Sequence, residues 1–357
     1  MMKKRKFLPL FSVLFFLVFL MACSNENLTY INIPAPSLKG NLFGESATQE
    51  IAVILPPNYG TSGKLYPVLY FLPGFSADHK TIANMLSNSL SDQAESEQDM
   101  IIVVVNGTSK LGGCFYTNSP VTGNWADFVM ENVVSYIDSR YNTVQAAKSR
   151  GIAGHSMGGF GSLQLALNNS DVFGHVYSMS PGLFDEIGLE NSGINFAVLE
   201  RGIEKYSVLS EETAQSEYLS DVKKMIWPSN FAFAYASVFA YDTSKGFPYI
   251  EVPEKSDEIY LEDEVYNRYI QGFGAWEEKL DKNGDNFRNL YNLAIEYGEQ
   301  DELYWIPNGS RYLCELLQKA KIPHEQIAFQ GGHTNKLQER FDDFMLPFFC
   351  KAFTENN

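Results

Sequence analysis

Residues 154–158, with the sequence Gly-His-Ser-Met-Gly, constrain the fold of this chain more than any other segment. A serine with glycines two positions away on each side is typical of a sharp turn from a strand into a helix, where larger neighbours would clash. Residues 149–153 are predicted as a short buried strand and residues 160–167 as the helix. The alternative is a glycine-rich turn carrying an ordinary serine, and the partners of Ser156 elsewhere in the chain decide between the two.

Among the five histidines, His333 is the best placed to serve as a general base for Ser156. It follows residues 327–329, a short strand-like run, and precedes the last predicted helix. His155 lies inside the turn itself, and we expect its side chain to point away from the chemistry. A histidine just beyond a late strand can reach a serine at the same edge of a sheet, so the sequence predicts that His333 accepts the proton of Ser156.

Asp301 is the predicted acid of a serine, acid and histidine triad that follows this order along the chain. It lies in an acidic turn after residues 290–297, which are predicted as a strand. Its carboxylate would accept a hydrogen bond from Nδ1 of His333 and stabilise the imidazolium. Glu299 and Glu302 in the same turn are the alternatives, and a solvated acidic turn is the interpretation without a function.

A serine nucleophile also requires two N–H groups aimed at the oxyanion, each worth about 2.7–4 kcal/mol of barrier. The first predicted donor is the backbone of Met157, directly after the nucleophile. The second is the backbone of Phe75, in the loop that follows the predicted strand 66–72, where Gly74 permits a close approach. The alternative is a plain Pro-Gly turn.

Short apolar runs alternate with helical stretches along the chain, which predicts a doubly wound, mostly parallel α/β sheet. The runs are residues 50–55, 66–72, 100–105, 149–153, 175–180, 290–297 and 327–329. We expect one domain over residues 48–353. The 145 residues between Ser156 and Asp301 exceed what one crossover needs and predict a cap-like insertion at about 182–286. Its many aromatic residues either line an apolar substrate pocket or form the insertion's own core.

The first 22 residues combine a basic start with a short apolar stretch, and Cys23 follows. This pattern resembles a bacterial lipoprotein signal peptide, with Cys23 as the lipidated residue and an uncleaved anchor as the alternative. Residues 23–47 are expected to be a polar leader. Removing the four cations of the signal changes the formal charge from −16 to −20, which argues against binding to nucleic acid or to anionic membrane surfaces.

The remaining cysteines, Cys114, Cys314 and Cys350, permit at most one disulfide. Their spacing to the histidines does not suggest a zinc site, and we expect no metal and no cofactor.

Taken together, the motifs resemble the putative-esterase family of α/β-hydrolases, which includes esterase D (S-formylglutathione hydrolase), feruloyl esterases and mycolyltransferases. The likeness is carried by residues 71–76, 113–120, 125–128, 154–159, 298–301 and 331–334. It implies that Phe115, Tyr116 and Trp125 bind substrate. One departure is Pro73-Gly74, where many relatives have His-Gly.

The expected function is that of an extracytoplasmic, lipid-anchored serine carboxylesterase for short-chain or aryl esters, including esters on polysaccharides. One alternative is acyl transfer through the same acyl-enzyme. The other is a surface lipoprotein that binds carbohydrate and has lost catalysis. The sequence leaves the oligomeric state open.

Overall fold

The structure of the protein is a computed structural model that describes residues 27–57, 59–61, 63–92, 99–225, 227–257 and 259–355. The predicted signal peptide and Cys23 lie outside the described residues. Within those ranges, no helix has both the length and the apolar character needed to cross a bilayer.

Eight strands of the described chain form the central sheet. They are β1 (Leu28–Pro34), β2 (Thr48–Ile54), β3 (Val68–Leu72), β4 (Ile101–Val104), β5 (Arg150–His155), β6 (His175–Met179), β7 (Asn292–Gly298) and β8 (Glu325–Phe329). Their order is β1-β2-β4-β3-β5-β6-β7-β8, and only β2 runs antiparallel to its neighbours. After β3 the chain adds β4 on one side of that strand, and it then adds β5 to β8 in sequence on the other side. The predicted doubly wound α/β sheet is confirmed, and its switch point lies between β3 and β5, where such sheets bind ligands.

Helices cover both faces of the sheet. The numbered helices are α1 (His79–Asp92), α2 (Val134–Arg140), α3 (Met157–Asn168), α4 (Gly188–Asn191), α5 (Phe196–Ser207), α6 (Glu211–Lys224), α7 (Ser229–Phe239), α8 (Glu264–Phe273), α9 (Trp276–Arg288), α10 (Trp305–Lys319) and α11 (Leu346–Glu355). Short helical segments and two-residue strand pairs complete the fold, namely Pro36–Leu38, Trp125–Asp127, Phe128–Val133, Ala147–Ser149, Leu337–Arg340 and Phe341–Met345, with the pairs Asn118–Ser119/Gly123–Asn124 and Lys255–Ser256/Ile259–Tyr260.

The sheet separates two apolar cores because successive side chains of a strand point to opposite faces. In β3, for example, Tyr70 packs into the core beneath α3, whereas Leu69 and Phe71 pack into the core beneath α1 and α11. Phe349 of α11 belongs to this second core. The described cysteines contribute to packing as free thiols and form no disulfide.

Helices α4–α8, which we call the cap, lie between β6 and β7 in the chain. The predicted bounds, about 182–286, also include most of α9, and this helix packs on α3. Asn286 Nδ2 donates to the carbonyl of Leu167 at 2.7 Å, and Asn283 Nδ2 donates to Asn168 at 2.8 Å. Helix α9 is therefore the ordinary crossover of the α/β fold, and the insertion proper ends before it.

The prediction that residues 23–47 form a polar leader is wrong for the described residues 28–47. Leu28–Pro34 pairs along its whole length with β2 as the edge strand of the sheet. Ile33 and Leu38 are fully buried. An edge strand pairs on one side only and exposes much of its surface, so its polar composition resembles that of a linker.

Candidate active site

The turn between β5 and α3 has the strained geometry predicted for residues 154–158. Ser156 adopts φ 57° and ψ −114°, a conformation that costs about 1–3 kcal/mol in a residue with a side chain. A Cβ on Gly158 would lie 1.7 Å from the carbonyl oxygen of Leu72, and one on Gly154 would lie 2.2 Å from the carbonyl oxygen of Gly158. The close approach of β3 to this turn therefore requires both glycines, and it lifts Ser156 to the carboxyl edge of the sheet.

The structure brings together the three residues that the sequence selected. Nε2 of His333 lies 2.9 Å from Oγ of Ser156, and its Nδ1 lies 2.8 Å from Oδ2 of Asp301. The Asp301 side chain is fully buried, and its Oδ1 accepts the N–H of Leu303 at 2.8 Å. An ionised carboxylate only accepts hydrogen bonds, so Nδ1 carries a proton and Nε2 is free to accept the proton of Ser156.

The neighbouring carboxylates have other partners. Oε2 of Glu302 accepts the backbone N–H of His333 at 3.0 Å, and this hydrogen bond holds the pKa of Glu302 below its usual value. Glu299 accepts a hydrogen bond from Gln330. Of the three acidic candidates, only Asp301 contacts the imidazole.

The loop after β3 lies against the nucleophile. A Cβ on Gly74 would approach Cβ of Ser156 to 3.4 Å, so the backbone that leads to Phe75 runs beside the serine. Among the backbone hydrogen bonds of the described residues, neither the N–H of Phe75 nor that of Met157 has a partner. Both predicted donors are therefore available to an oxyanion. The hydroxyl of Tyr116 donates to the carbonyl of Pro73 at 2.8 Å and supports this loop from below.

The structure does not support the expectation that Phe115, Tyr116 and Trp125 line an open substrate pocket. All three side chains have 0% of their surface exposed. Trp125 packs edge-on against Phe128 and donates its indole N–H to a backbone carbonyl. Phe115 and Tyr116 have φ of 51° and 49°, which turns the chain so that their rings fill space beneath the cap and the oxyanion loop. They pack the site and do not face solvent.

An aromatic residue that was not singled out as a site residue lies nearer to the surface. Trp227 precedes α7 and exposes 40% of its surface. Its ring centroid lies 6.3 Å from that of Phe75 and 4.6 Å from that of Phe231. The sequence signal was the aromatic-rich insertion, but composition alone could not show which ring remains accessible.

His155 does not point away from the chemistry, and that expectation was wrong. Its Nε2 lies 2.9 Å from the carbonyl oxygen of His333, and the two ring centroids are 4.8 Å apart. Burial, helped by the neighbouring His333 and Arg340, lowers the pKa of His155 well below its usual range, so this imidazole is neutral.

Among the described residues, no three histidine, cysteine or acidic side chains are grouped as ligands of a metal ion. The geometry thus places the hydroxyl of Ser156, the imidazole of His333 and the carboxylate of Asp301 in one hydrogen-bonded row.

Comparisons with known proteins agree with this fold. A family model described as "Putative esterase" matches residues 46–239. An esterase of Mycobacterium tuberculosis (strain H37Rv) is 31% identical over 137 residues, which are 36% of this chain and only 28% of that protein. Among solved structures, a ferulic acid esterase shares 19% identity at a TM-score of 0.60, covering 91% of this chain and 98% of its own. A fluorophosphonate-binding serine hydrolase of Staphylococcus aureus shares 17% at a TM-score of 0.57, with 91% and 98% covered. The structures share the fold, the family model spans more than half of the chain, and the chain therefore belongs to the Putative esterase family.

Proposed function

We propose that this protein is a serine carboxylesterase that uses Ser156, His333 and Asp301. The observation that carries the proposal is the continuous pair of contacts from Ser156 through His333 to Asp301, at 2.9 and 2.8 Å. Membership of the esterase family and the α/β-hydrolase fold support it.

In this mechanism, Oγ of Ser156 attacks the ester carbonyl while Nε2 of His333 takes the hydroxyl proton. The N–H groups of Phe75 and Met157 stabilise the negative charge that develops on the carbonyl oxygen. His333 then returns the proton to the leaving alcohol, and the acyl group remains on Ser156. Water attacks the acyl-enzyme with His333 as base, which releases the acid and restores the serine.

The substrate that we propose carries a short or aryl acyl group, and the proposed class includes esters on polysaccharides. Trp227 supports the aryl class because its exposed ring stands beside Phe75, whose N–H would hold the oxyanion. A flat ring bound against Trp227 would therefore lie next to Phe75, the residue whose N–H is proposed to bind the carbonyl oxygen of the ester. Stacking between aromatic rings adds about 0.5–1.5 kcal/mol beyond area burial.

A fluorophosphonate probe and a panel of esters test the activity. The wild type should be labelled on Ser156 and should hydrolyse acetyl, butyryl or feruloyl esters faster than palmitoyl esters. Ser156→Ala should show neither labelling nor turnover. A wild type that hydrolyses no ester, or labelling that persists in Ser156→Ala, would contradict the proposal.

The aryl preference is tested with Trp227→Ala. This change should lower kcat/KM for feruloyl esters about 3- to 10-fold and leave acetyl esters within about twofold, because only the aryl group reaches the ring. Tyr291→Ala is a matched control, because Tyr291 is also an exposed aromatic residue. It lies just before β7 begins, whereas Asp301 follows the other end of that strand. Equal losses on both esters in Trp227→Ala would exclude an aryl site at this position.

We also propose that Cys23 is lipidated and that the enzyme works outside the cytoplasm, attached to a membrane. The proposal rests on the sequence of residues 1–23. Cys23→Ser should abolish incorporation of a labelled fatty acid and leave the activity of the isolated domain unchanged. Incorporation that survives the substitution would refute it.

A further inference from the structure

The carbonyl oxygen of His333 accepts hydrogen bonds from two buried side chains outside the proposed triad. Nε2 of His155 lies 2.9 Å from it, and Nη1 of Arg340 lies 3.1 Å from it. His155 is neutral, and its Nε2 faces a carbonyl oxygen, so Nε2 carries the proton and donates. The two donors reach the same oxygen from separate elements, the end of β5 and the helical segment Leu337–Arg340.

Arg340 is itself fixed on every side. Its Nε forms an ion pair with Glu296 of β7, and its Nη2 donates to Oγ of Ser180 at 2.9 Å. The second oxygen of Glu296 accepts the hydroxyl of Tyr177 from β6 at 2.8 Å. The guanidinium carbon lies 4.5 Å from the ring centroid of Phe329. This network leaves Nη1 of Arg340 aimed at the backbone carbonyl of His333 and ties that nitrogen to the sheet.

Stability alone is a weak explanation for this buried ion pair. Removing two charges from water costs about as much as their attraction returns, and an apolar pair of equal volume is often as stable. What an apolar pair would lack is the donor to His333. A displacement of a catalytic group by about 1 Å can reduce a rate about 100-fold, so a fixed carbonyl has a kinetic consequence.

We propose that His155 and Arg340 are positioning residues that hold the backbone of His333. They keep its imidazole in line between Asp301 and Ser156 without touching substrate or reacting atoms. The inference rests on the proposed esterase function, because that function makes His333 the base.

Four substitutions test the inference. His155→Phe keeps a ring of similar size and removes the donor, whereas His155→Gln retains an N–H at a similar reach. Arg340→Lys keeps a positive charge beside Glu296 but lacks the planar fork that serves Glu296 and His333 together. Tyr177→Phe is the matched control, since it removes a hydrogen bond of the same network that does not involve His333.

We expect kcat for an acetyl ester to fall about 10- to 100-fold in His155→Phe and Arg340→Lys, with KM changed by less than about threefold. His155→Gln should recover most of the loss, and Tyr177→Phe should stay within about threefold of wild type. The NMR resonance of the proton between Asp301 and His333 should shift or broaden only in the impaired variants. A loss of global stability alone would not produce that pattern.

The inference fails if folded His155→Phe and Arg340→Lys retain kcat within about threefold of wild type. It also fails if Tyr177→Phe loses as much activity as they do, because the network would then serve general stability. Should His155→Phe not fold, Arg340→Lys makes the same comparison. If the wild type hydrolyses no ester, the proposed function fails, and the NMR resonance still decides whether these residues position His333.

Discussion

Each carboxylate oxygen of Asp301 accepts one hydrogen bond, from Nδ1 of His333 and from the N–H of Leu303, both at 2.8 Å. Asp301→Asn replaces one acceptor oxygen by an NH₂ donor in a site that is fully buried. The amide oxygen can satisfy only one of the two N–H groups. If it keeps that of Leu303, its NH₂ faces Nδ1 of His333 and forces the imidazole proton onto Nε2. That nitrogen then cannot accept the proton of Ser156.

The expected loss in kcat is large because the wrong tautomer disables the base. The same exchange in a serine protease triad costs about 10⁴-fold, which corresponds to about 5.5 kcal/mol of barrier at 1.36 kcal/mol per factor of ten. Glu302→Gln is the matched control, since a glutamine oxygen can still accept the backbone N–H of His333. This variant loses only the contribution of the negative charge to one hydrogen bond, about 1 kcal/mol, which would lower kcat roughly fivefold.

The assay compares kcat for an activated acetyl ester with the free energy of unfolding of each variant. We expect Asp301→Asn to lose about 10³- to 10⁴-fold in kcat and Glu302→Gln less than about tenfold, both with a folded domain. A larger loss in Glu302→Gln would assign the acid to Glu302, and equal losses would show that the loop acts only as a structural unit.

Three further predictions follow from named contacts. Ser156→Ala should lower kcat by at least about 10³-fold and keep the denaturation midpoint of wild type, so a folded variant with a tenth of the wild-type rate would exclude Ser156 as nucleophile. Gly158→Ala should destabilise the fold by more than about 3 kcal/mol, measured by thermal unfolding, because its Cβ would lie 1.7 Å from a carbonyl oxygen of β3. Burial raises the pKa of Glu45 from 4.5 to about 7. The native state therefore binds the Glu45 proton more tightly than the unfolded state does, and the free energy of unfolding falls as the pH rises from 4.5 to about 7. Glu45→Gln, which can still accept the N–H of Lys110, should remove up to about 3 kcal/mol of that pH dependence, and parallel curves of wild type and variant would contradict the assignment.

The sequence predicted the sheet well because its buried parallel strands are unbroken apolar runs. Ile101–Val104 and Val68–Leu72 are fully buried and show this pattern directly. The residues brought together at the candidate site were also predictable, since each follows a strand, and the carboxyl ends of parallel strands meet at one edge. Glycines at 154 and 158 mark the turn because no other residue fits there.

What could not be predicted depends on contacts between distant parts of the chain. Leu28–Pro34 lacks an apolar run because an edge strand is half exposed. The ring of Trp125 is as apolar as that of Trp227, yet one is buried and the other is exposed at the cap. The hydrogen bond from His155 to His333 spans 178 residues, and no local pattern indicates it.

The position of β1 limits how far an anchored enzyme could extend from its membrane. β1 begins at Leu28, five residues after Cys23, and a fully extended segment of that length spans about 17 Å. Ser156 follows the fifth strand in the sheet order, about 19 Å across the sheet from β1 at about 4.8 Å per strand. A lipid on Cys23 would therefore keep the serine within a few nanometres of the bilayer. A polymeric substrate would then have to approach the bilayer, because so short a tether would not let the enzyme move far from it.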